Sequence, residues 1–318
     1  MKWTIVFGVL LMVYLNNASW LRDVPDGAVR LLAHRGVHQT YSKENLDRHE
    51  GCTADRIDPP QHAFLENTIA SIHEAFAYGA DIVEIDIHPT IDEKFAVFHD
   101  WKIDCRTNGT GKTRDHSLTY LQSLDIGFGY TSDGGKTYPF RGKGVGKLPS
   151  LTEILERFPK QKFLVNIKSN SISEAKLINQ FLDDRPNEDL RRLWFYGGQK
   201  PTSRLLQLKF ELRGFTRSSV KKCAIHYELI GWTGYVPKAC HNTIVVIPEG
   251  YAPYFWGWPR LFTRRMQDVG TEIILVGQTE VHLDGIDSPK RVAELGKDYR
   301  GILWTDNIEQ VGTKAKVN

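Results

Sequence analysis

The chain has 318 residues, of which 41% are hydrophobic and 25% are charged. This composition is typical of a globular protein with one large domain or two small ones. The formal net charge is only +3, which gives no reason to expect a nucleic acid as the partner. The sequence contains no internal repeat and no low-complexity segment, so repeat architectures and long disordered linkers are excluded.

The first predicted element is an N-terminal export signal. Lys2 precedes an apolar run over residues 3–15, and residues 16–19 include small side chains. The run is shorter than the roughly 20 residues that span a bilayer, and its flanks are typical of a cleavable signal. We therefore predict a signal peptide over residues 1–19, a mature domain over residues 20–318, and export to the periplasm or out of the cell. An uncleaved membrane anchor is the alternative.

The chain has four cysteines, and their even number agrees with export. Four cysteines in an exported protein indicate disulfides with three possible pairings. Proximity along the sequence and the loop positions favour Cys52–Cys105 and Cys223–Cys240, with free or buried thiols as the alternative. No spacing among the cysteines resembles a zinc site.

Short apolar, β-branched runs recur along the chain, and several are bounded by Gly, Pro or Asp, as strands often are. Nine of them are candidate strands: residues 29–33, 82–87, 95–98, 163–167, 193–196, 212–215, 243–247, 272–276 and 301–304. Helix-like stretches occur between many of them: residues 67–78, 151–158, 173–182, 262–269 and 292–295. The alternation predicts an α/β protein, and the number of strands suits a single-domain TIM (β/α)₈ barrel with one run to spare. A doubly wound open sheet is the alternative.

Two carboxylates stand out in the second predicted strand. Glu84 and Asp86 are two residues apart, so both side chains point to the same side of the strand, away from the apolar Val83 and Ile85. Adjacent carboxylates repel each other unless a cation lies between them, and oxygen ligands suit Mg²⁺ or Ca²⁺. The pair therefore predicts a metal site, with a solvated edge strand as the alternative.

Histidines end two of the predicted strands, in His34-Arg35-Gly36 and in His99-Asp100. Histidine transfers protons near neutral pH, and the planar donors of arginine suit a phosphate. One His-Arg pair alone is more often structural. The carboxyl ends of barrel strands converge at one mouth, so His34 and His99 would lie on either side of the carboxylate pair as an acid/base constellation.

Taken in order, these motifs resemble those of the glycerophosphodiester phosphodiesterase family. The resemblance extends from about residue 29 to residue 311. The matching motifs are His34-Arg35-Gly36, Glu66-Asn67-Thr68, the run from Gly79 to Asp86, Thr90, His99-Asp100, and the run from Gly301 to Asn307. Each motif alone is weak, and the ordered set is specific.

The resemblance implies a TIM barrel that uses a divalent metal, usually Ca²⁺ or Mg²⁺. The implied reaction cleaves a small, sometimes lipid-derived phosphodiester, such as glycerophosphocholine or glycerophosphoethanolamine, to an alcohol and glycerol 3-phosphate. No stable protein partner is indicated. The implied site residues are His34 and His99 as the acid/base pair, Arg35, Lys168 and Asn67 as substrate-binding residues, and Glu84 and Asp86 as metal ligands.

One position departs from the family pattern. The family usually has a glutamate two residues before the phosphate-facing lysine, as the third metal ligand, and this chain has Asn166 before Lys168. An amide oxygen can also bind a hard cation. Asn166 is therefore predicted to be a metal ligand without a charge. The site is expected to bind its metal more weakly than a site with the glutamate.

Two segments look added to the minimal pattern. Residues 37–65 form a long connection, which is expected to cover the barrel mouth, and a Cys52–Cys105 disulfide would fasten it to the loop after His99. Residues 251–258 are densely aromatic.

Trp256 and Trp258 in the aromatic segment are expected to wall the alcohol side of the substrate pocket. Hydrophobic packing between this loop and the barrel is the alternative.

Three other functions remain open. A related barrel enzyme of the phospholipase D or lyase type could act on phospholipids or lysolipids. A phosphodiester-binding barrel without catalysis is favoured only by Asn166 and is opposed by both histidines. A structural surface protein fits poorly with charged residues at the ends of the strands.

Overall fold

The structure is a computed structural model, and it describes residues 2–43, 52–278 and 283–315. Its centre is a sheet of eight parallel strands in the order β6-β5-β4-β2-β1-β10-β8-β7. The short strands β3 and β9 pair antiparallel with β2 and β8. The bounds are β1 Arg30–His34, β2 Ile82–Pro89, β3 Phe95–Val97, β4 Lys162–Ile167, β5 Leu193–Gly197, β6 Arg213–Gly214, β7 Ile244–Pro248, β8 Glu272–Gln278, β9 Leu283–Asp284 and β10 Ile302–Thr305.

The sheet curls into a nearly closed barrel. Its two edge strands, β6 and β7, are linked where the Thr243 hydroxyl donates to the Gly214 carbonyl oxygen over 3.3 Å. Side chains that fill the barrel interior include Leu32, Leu164 and Ile274, all fully buried. The predicted TIM barrel is thereby confirmed.

Helices surround the barrel, and local sequence explains where several of them begin. Thr68, Ser150 and Thr216 each form a capping box with the residue three positions later, which satisfies backbone N–H groups that a helix start leaves unpaired. The helices are α1 Lys2–Asn17, α2 Ile69–Ala77, α3 Leu118–Ser123, α4 Leu151–Arg157, α5 Ser173–Asp183, α6 Asn187–Arg192, α7 Gln199–Leu208, α8 Arg217–Ile230, α9 Arg260–Asp268, α10 Pro289–Leu295 and α11 Ile308–Ala315. The five predicted stretches are helical, whereas α3, α6, α7, α8 and α11 were not predicted.

The third predicted strand does not belong to the barrel. β3 runs antiparallel to β2, with Ile87 opposite Val97. Only residues 90–94 separate the two strands, and a parallel return would need a crossover of a dozen or more residues. The expectation that His99 ends a barrel strand was therefore wrong. The residue follows a hairpin instead, and β3 is the spare run.

The predicted cover over the mouth packs into a second hydrophobic cluster. Ile57 and Leu65 from the long connection join Phe98, Leu121 and Tyr130 from the segment after β3. As predicted, the structure joins Cys52 to Cys105, which ties these two segments covalently, and Cys223 to Cys240. Residues 44–51 of the cover lie outside the described residues.

The N-terminal residues form α1, and the C-terminal end of this helix contacts the helices around the barrel. The Asn17 amide donates to the Trp232 carbonyl oxygen over 2.7 Å, and Arg265 donates to Asn17 Oδ1 over 2.9 Å. Among the described residues, no helix is both long and apolar enough to cross a membrane. The signal peptide over residues 1–19 stays a prediction.

Candidate active site

Strand register places the predicted site residues in two neighbouring rows at the mouth. His34 on β1 pairs with Glu84 on β2, and Asp86 pairs with Asn166 on β4. Asn166 in turn pairs with Tyr196 on β5. Residues paired in a parallel sheet project side by side, so His34 and Glu84 form one row, and Asp86, Asn166 and Tyr196 form a second row two residues further along β2.

A strained turn after β1 sets the position of Arg35. Arg35 and Asn67 both have left-handed backbones, with φ of 58° and 57°, an uncommon conformation outside glycine that concentrates at functional sites. The Asn67 N–H donates to the Arg35 carbonyl oxygen over 2.9 Å. Gly36 follows with φ of 77°, and a Cβ there would lie 2.9 Å from the Ser71 carbonyl carbon. This close approach explains the glycine.

His34 is held by a carboxylate from the last strand segment. Its Nδ1 lies 2.7 Å from Asp306 Oδ1, while Arg35 Nε donates to its Nε2 over 3.1 Å. These two bonds place the proton on Nδ1 and a lone pair on Nε2. Burial, followed by the charge of Arg35, lowers the pKa of His34 to about 4 against the opposing effect of Asp306. At neutral pH, His34 is therefore an uncharged proton acceptor.

His99 repeats this arrangement from the hairpin segment. Its Nδ1 lies 2.8 Å from Asp100 Oδ1, which leaves Nε2 for the site. Burial and then the charges of Arg35 and Lys168 lower the pKa of His99. Each predicted catalytic histidine thus forms a dyad with an aspartate, an orientation device common to general acid/base catalysts.

A buried arginine connects the two halves of the site. Arg106, 2% exposed, donates from Nε to Asp100 Oδ2 over 2.9 Å, and its NH1 lies 2.9 Å from Glu66 Oε2. The other Glu66 oxygen lies 3.2 Å from Arg35 NH1. Burial alone would raise the pKa of Glu66, but Arg106 and Arg35 outweigh it and lower the pKa to about 2. The residues form a continuous ionic network, in the order Arg35, Glu66, Arg106, Asp100 and His99.

Asp86 lies among the predicted substrate-binding residues. Lys168 Nζ lies 3.3 Å from its Oδ1, and Arg35 Nε lies 3.5 Å from its Oδ2. Asn67 donates to Oδ2 over 3.0 Å, so Asn67 positions this carboxylate. Burial would raise the pKa of Asp86, but the surrounding cations and histidines, Lys168 first, hold it well below its usual range. Asp86 is therefore ionised.

Glu84 is fully buried and only half satisfied. Tyr196 donates to its Oε1 over 2.7 Å, whereas Oε2 has no hydrogen-bond partner among the described residues. Burial and then the charge of Asp86 raise the pKa of Glu84 to about 8. A cation beside Oε2 would relieve both the desolvation and the repulsion.

The residues present therefore fit a hard divalent cation at Glu84 and Asp86. Asn166 differs from the expectation, because its Nδ2 donates to Asp86 Oδ1 over 2.9 Å. Its oxygen faces Gly197, where a Cβ would lie 2.4 Å from it. Asn166 therefore acts as a donor to a predicted ligand in this structure, and it would present its oxygen only after its amide rotates.

The predicted aromatic wall lies away from this cluster. Trp256 Nε1 donates to the Glu228 carbonyl oxygen at the end of α8 over 2.9 Å. Trp258 packs against Tyr299, whose hydroxyl bonds to the start of β10. These contacts are with the helix layer near the amino ends of the strands, opposite the mouth, and they favour the packing alternative.

An aromatic side chain that was not singled out lies beside the site instead. The Trp304 ring centroid is 4.9 Å from that of His34, and Tyr196 is 6.2 Å from Trp304. Trp304 was within the quoted closing motif without a role.

Five further polar residues of the site had no role predicted from the sequence: Glu66, Asp100, Arg106, Tyr196 and Asp306. Glu66, Asp100 and Asp306 lie within motifs that resemble those of the family. Arg106 follows Cys105 in a loop, where no periodic pattern marks it.

Comparison with known proteins supports the motifs. Residues 34–194 match the model of the glycerophosphoryl diester phosphodiesterase family. Over 108 residues the chain is 39% identical to a glycerophosphodiester phosphodiesterase of Bacillus subtilis (strain 168), covering 33% of this chain and 36% of that protein. Over 158 residues it is 29% identical to lysophospholipase D GDPD1 of Mus musculus, covering 48% and 46%. The matched part is less than half the length of either relative.

Among solved structures, the chain resembles that of a glycerophosphodiester phosphodiesterase from Agrobacterium tumefaciens str. C58, with a TM-score of 0.58. The superposition covers 91% of this chain and 99% of that one, at 19% sequence identity. At this identity the likeness concerns the barrel fold, and it extends over nearly the whole chain.

Proposed function

The chain belongs to the glycerophosphoryl diester phosphodiesterase family, and on that premise we propose that it hydrolyses glycerophosphodiesters to an alcohol and sn-glycerol 3-phosphate with a divalent metal. One observation carries the proposal: two His–Asp dyads, with His34 and His99, surround the same ionised carboxylate, Asp86. A site with two imidazoles and two cationic side chains, Arg35 and Lys168, suits transfer of a phosphoryl group between two oxygens.

Arg35 and Lys168 are the residues we assign to the phosphate. Both cations lie within 3.5 Å of Asp86, and a phosphodiester oxygen can share them as negative charge builds on the phosphorus. Glu84 and Asp86 would hold Ca²⁺ or Mg²⁺, which when bound supplies further positive charge next to the phosphate. Asn166 steadies Asp86 in this arrangement.

The two histidines divide the proton transfers. His34 Nε2 carries a lone pair in the free protein, so it accepts the proton of the attacking hydroxyl, from water or from the substrate's own glycerol. We assign protonation of the departing alkoxide to His99, which must carry a second proton on Nε2 for this step, and Asp100 at Nδ1 stabilises the resulting imidazolium. The new phosphorus–oxygen bond replaces the bond to the alcohol, while His34 takes up one proton and His99 delivers another. When the attacking hydroxyl is the substrate's own, the product is a cyclic phosphate, which attack by water then opens to glycerol 3-phosphate.

The substrate class is tested with a panel. Purified protein is supplied with Ca²⁺ or Mg²⁺ and then with glycerophosphocholine, glycerophosphoethanolamine or lysophosphatidylcholine. We expect glycerol 3-phosphate from the first two, and turnover that stops with excess chelator. Turnover that survives the chelator would exclude the metal, and no product from any diester would overturn the proposed activity.

The likeness to lysophospholipase D GDPD1 favours a second candidate, in which the substrate keeps an acyl chain. Lysophosphatidylcholine would then give choline and lysophosphatidic acid. The relative kcat/KM on the lysolipid and on glycerophosphocholine decides between the candidates.

We also propose export of the mature chain. The apolar helix Lys2–Asn17 and the two disulfides support it. Sequencing the N-terminus of the protein recovered from the medium or periplasm tests this, with a start near Trp20 expected. A start at Met1 would indicate an uncleaved anchor.

A further inference from the structure

A buried histidine next to the catalytic dyad has an unused nitrogen. His38 lies four residues after His34, and only 3% of its surface is exposed. Its Nδ1 bonds to the Gln39 carbonyl oxygen over 3.0 Å, so the proton is on Nδ1 and the lone pair is on Nε2. That Nε2 has no hydrogen-bond partner among the described residues. A buried acceptor without a donor indicates a ligand that completes it.

His38 belongs to a group of side chains whose ligand atoms lie close enough together to hold a metal ion. One ligand atom from each of His34, His38 and Asp306 lies within 4.8 Å of the others. The two imidazole rings stand edge to face at 86°, with centroids 5.8 Å apart. Metal bonds of about 2.0 to 2.2 Å would require ligand atoms roughly 3.3 Å apart, so small side-chain rotations suffice.

We propose that His34, His38 and Asp306 form a second metal site, which takes a transition-metal ion such as Zn²⁺ or Co²⁺ and inhibits the enzyme. Two imidazoles and one carboxylate select this class of ion, whereas the oxygen ligands Glu84 and Asp86 suit Ca²⁺ or Mg²⁺. The two sites therefore differ in the metals that they bind.

Inhibition follows from the tautomer of His34. A neutral imidazole carries one N–H, and a metal on Nδ1 forces that proton onto Nε2. Nε2 can then accept neither the Arg35 donor, now at 3.1 Å, nor a proton from the attacking hydroxyl. The inhibitory effect rests on the proposed function, whereas metal binding at this site does not.

Lys43 competes with this second ion. Its Nζ lies 3.0 Å from Asp306 Oδ2 and also contacts Asp284. An ammonium so close to the carboxylate repels a divalent cation. Removal of this charge should therefore strengthen metal binding, which provides a variant that changes the affinity in the opposite direction from loss of His38.

Co²⁺ titration of the full chain tests the site, because bound Co²⁺ gives visible absorption bands that do not depend on activity. The chain is kept in saturating Mg²⁺. We compare the wild type with His38→Gln, Lys43→Met and the control His226→Gln, which changes an exposed histidine on α8. Melting temperatures confirm that each variant is folded.

We expect one Co²⁺ per chain in the wild type and in His226→Gln. In His38→Gln the affinity should fall by about tenfold or more, and in Lys43→Met it should rise. Zn²⁺ should inhibit the wild type and leave His38→Gln active at the same concentration. Equal Co²⁺ affinity in the wild type and His38→Gln would overturn the site. Inactive wild type with normal Co²⁺ binding would instead overturn the proposed function.

Discussion

His34 Nδ1 lies 2.7 Å from Asp306 Oδ1 although 272 residues separate the two along the chain. The contact exists because β10 pairs with β1, so that Thr305 stands beside Ala33. The pairing of the first strand with the last thus supplies the residue that fixes the tautomer of His34. Asp306 is therefore a positioning residue, which acts through His34.

The Asp306→Asn variant tests this positioning. An asparagine amide can donate to Nδ1, which would move the imidazole proton to Nε2 and remove the lone pair that accepts a proton. We expect kcat to fall by about 10²- to 10⁴-fold with little change in fold. Asp298→Asn, a change on the opposite end of the barrel, serves as the control. A kcat for Asp306→Asn within threefold or so of wild type would refute the tautomer argument.

A substrate with a better leaving group tests which histidine is the base and which is the acid. A glycerophosphodiester of 4-nitrophenol releases a weakly basic phenolate, which needs no proton donor. We expect His99→Ala to lose most of its activity on glycerophosphocholine and to recover much of it on the nitrophenyl ester. His34→Ala should be poor on both. The reverse pattern would exchange the two roles.

Removal of the buried guanidinium should destabilise the fold as well as the site. Arg106→Met leaves the charges of Glu66 and Asp100 buried without their shared cation, an imbalance that typically costs about 3 to 5 kcal/mol. Urea unfolding measures this loss against Arg204→Met, an exposed arginine, for which we expect less than about 1 kcal/mol. Equal losses in the two variants would mean that the network adds nothing to stability.

Acid stability should depend on Glu66. Its pKa is lowered from an ordinary value of 4.5 to about 2, so the folded state binds a proton less readily than the unfolded state. The stabilisation is therefore complete above pH 4.5 and is lost as the pH falls towards 2. Unfolding free energies at a series of pH values should fall more steeply in this window for the wild type than for Glu66→Gln.

At neutral pH, the Glu66→Gln variant should be the less stable of the two proteins. Glu156→Gln, at an exposed position, should follow the wild type throughout. Parallel curves for the wild type and Glu66→Gln would contradict the assignment.

The aromatic segment gives a prediction about KM. Because Trp256 packs on α8 and Trp304 lies beside His34, Trp256→Phe should lower the melting temperature and leave KM unchanged. Trp304→Phe should change KM. If KM instead rises for Trp256→Phe alone, the aromatic segment does wall the substrate pocket as first expected.

Local patterns were enough to predict the barrel strands and the pair Glu84 and Asp86, because alternation along one strand fixes which side chains share a face. They also placed His34 at a strand end. They could not predict that β3 turns back on β2, since a short apolar run has the same appearance in either direction. His99 therefore lies near Asp86 and Lys168, as expected, but it follows a hairpin and not a barrel strand, and its catalytic role stays a prediction.

Long-range contacts were beyond the reach of these patterns. The roles of Arg106 and Asp306 depend on partners brought together by the loops over the mouth and by the pairing of β10 with β1. Tyr196 was part of a predicted strand, where an aromatic residue indicates a buried core position as readily as a site position. Its hydroxyl reaches Glu84 because Tyr196 is in register with Asn166.

The disulfide over the mouth has a consequence for the guanidinium beside it. Cys105 immediately precedes Arg106, and Cys52 precedes Thr53, whose hydroxyl lies 3.5 Å from Arg106 NH2. The covalent bond holds the cover close to Arg106. The weak contact between Thr53 and Arg106 therefore does not have to offset the loop-closure entropy of the cover. The number of residues in the cover between its fixed ends can therefore change with little effect on the ionic network that contains Arg106.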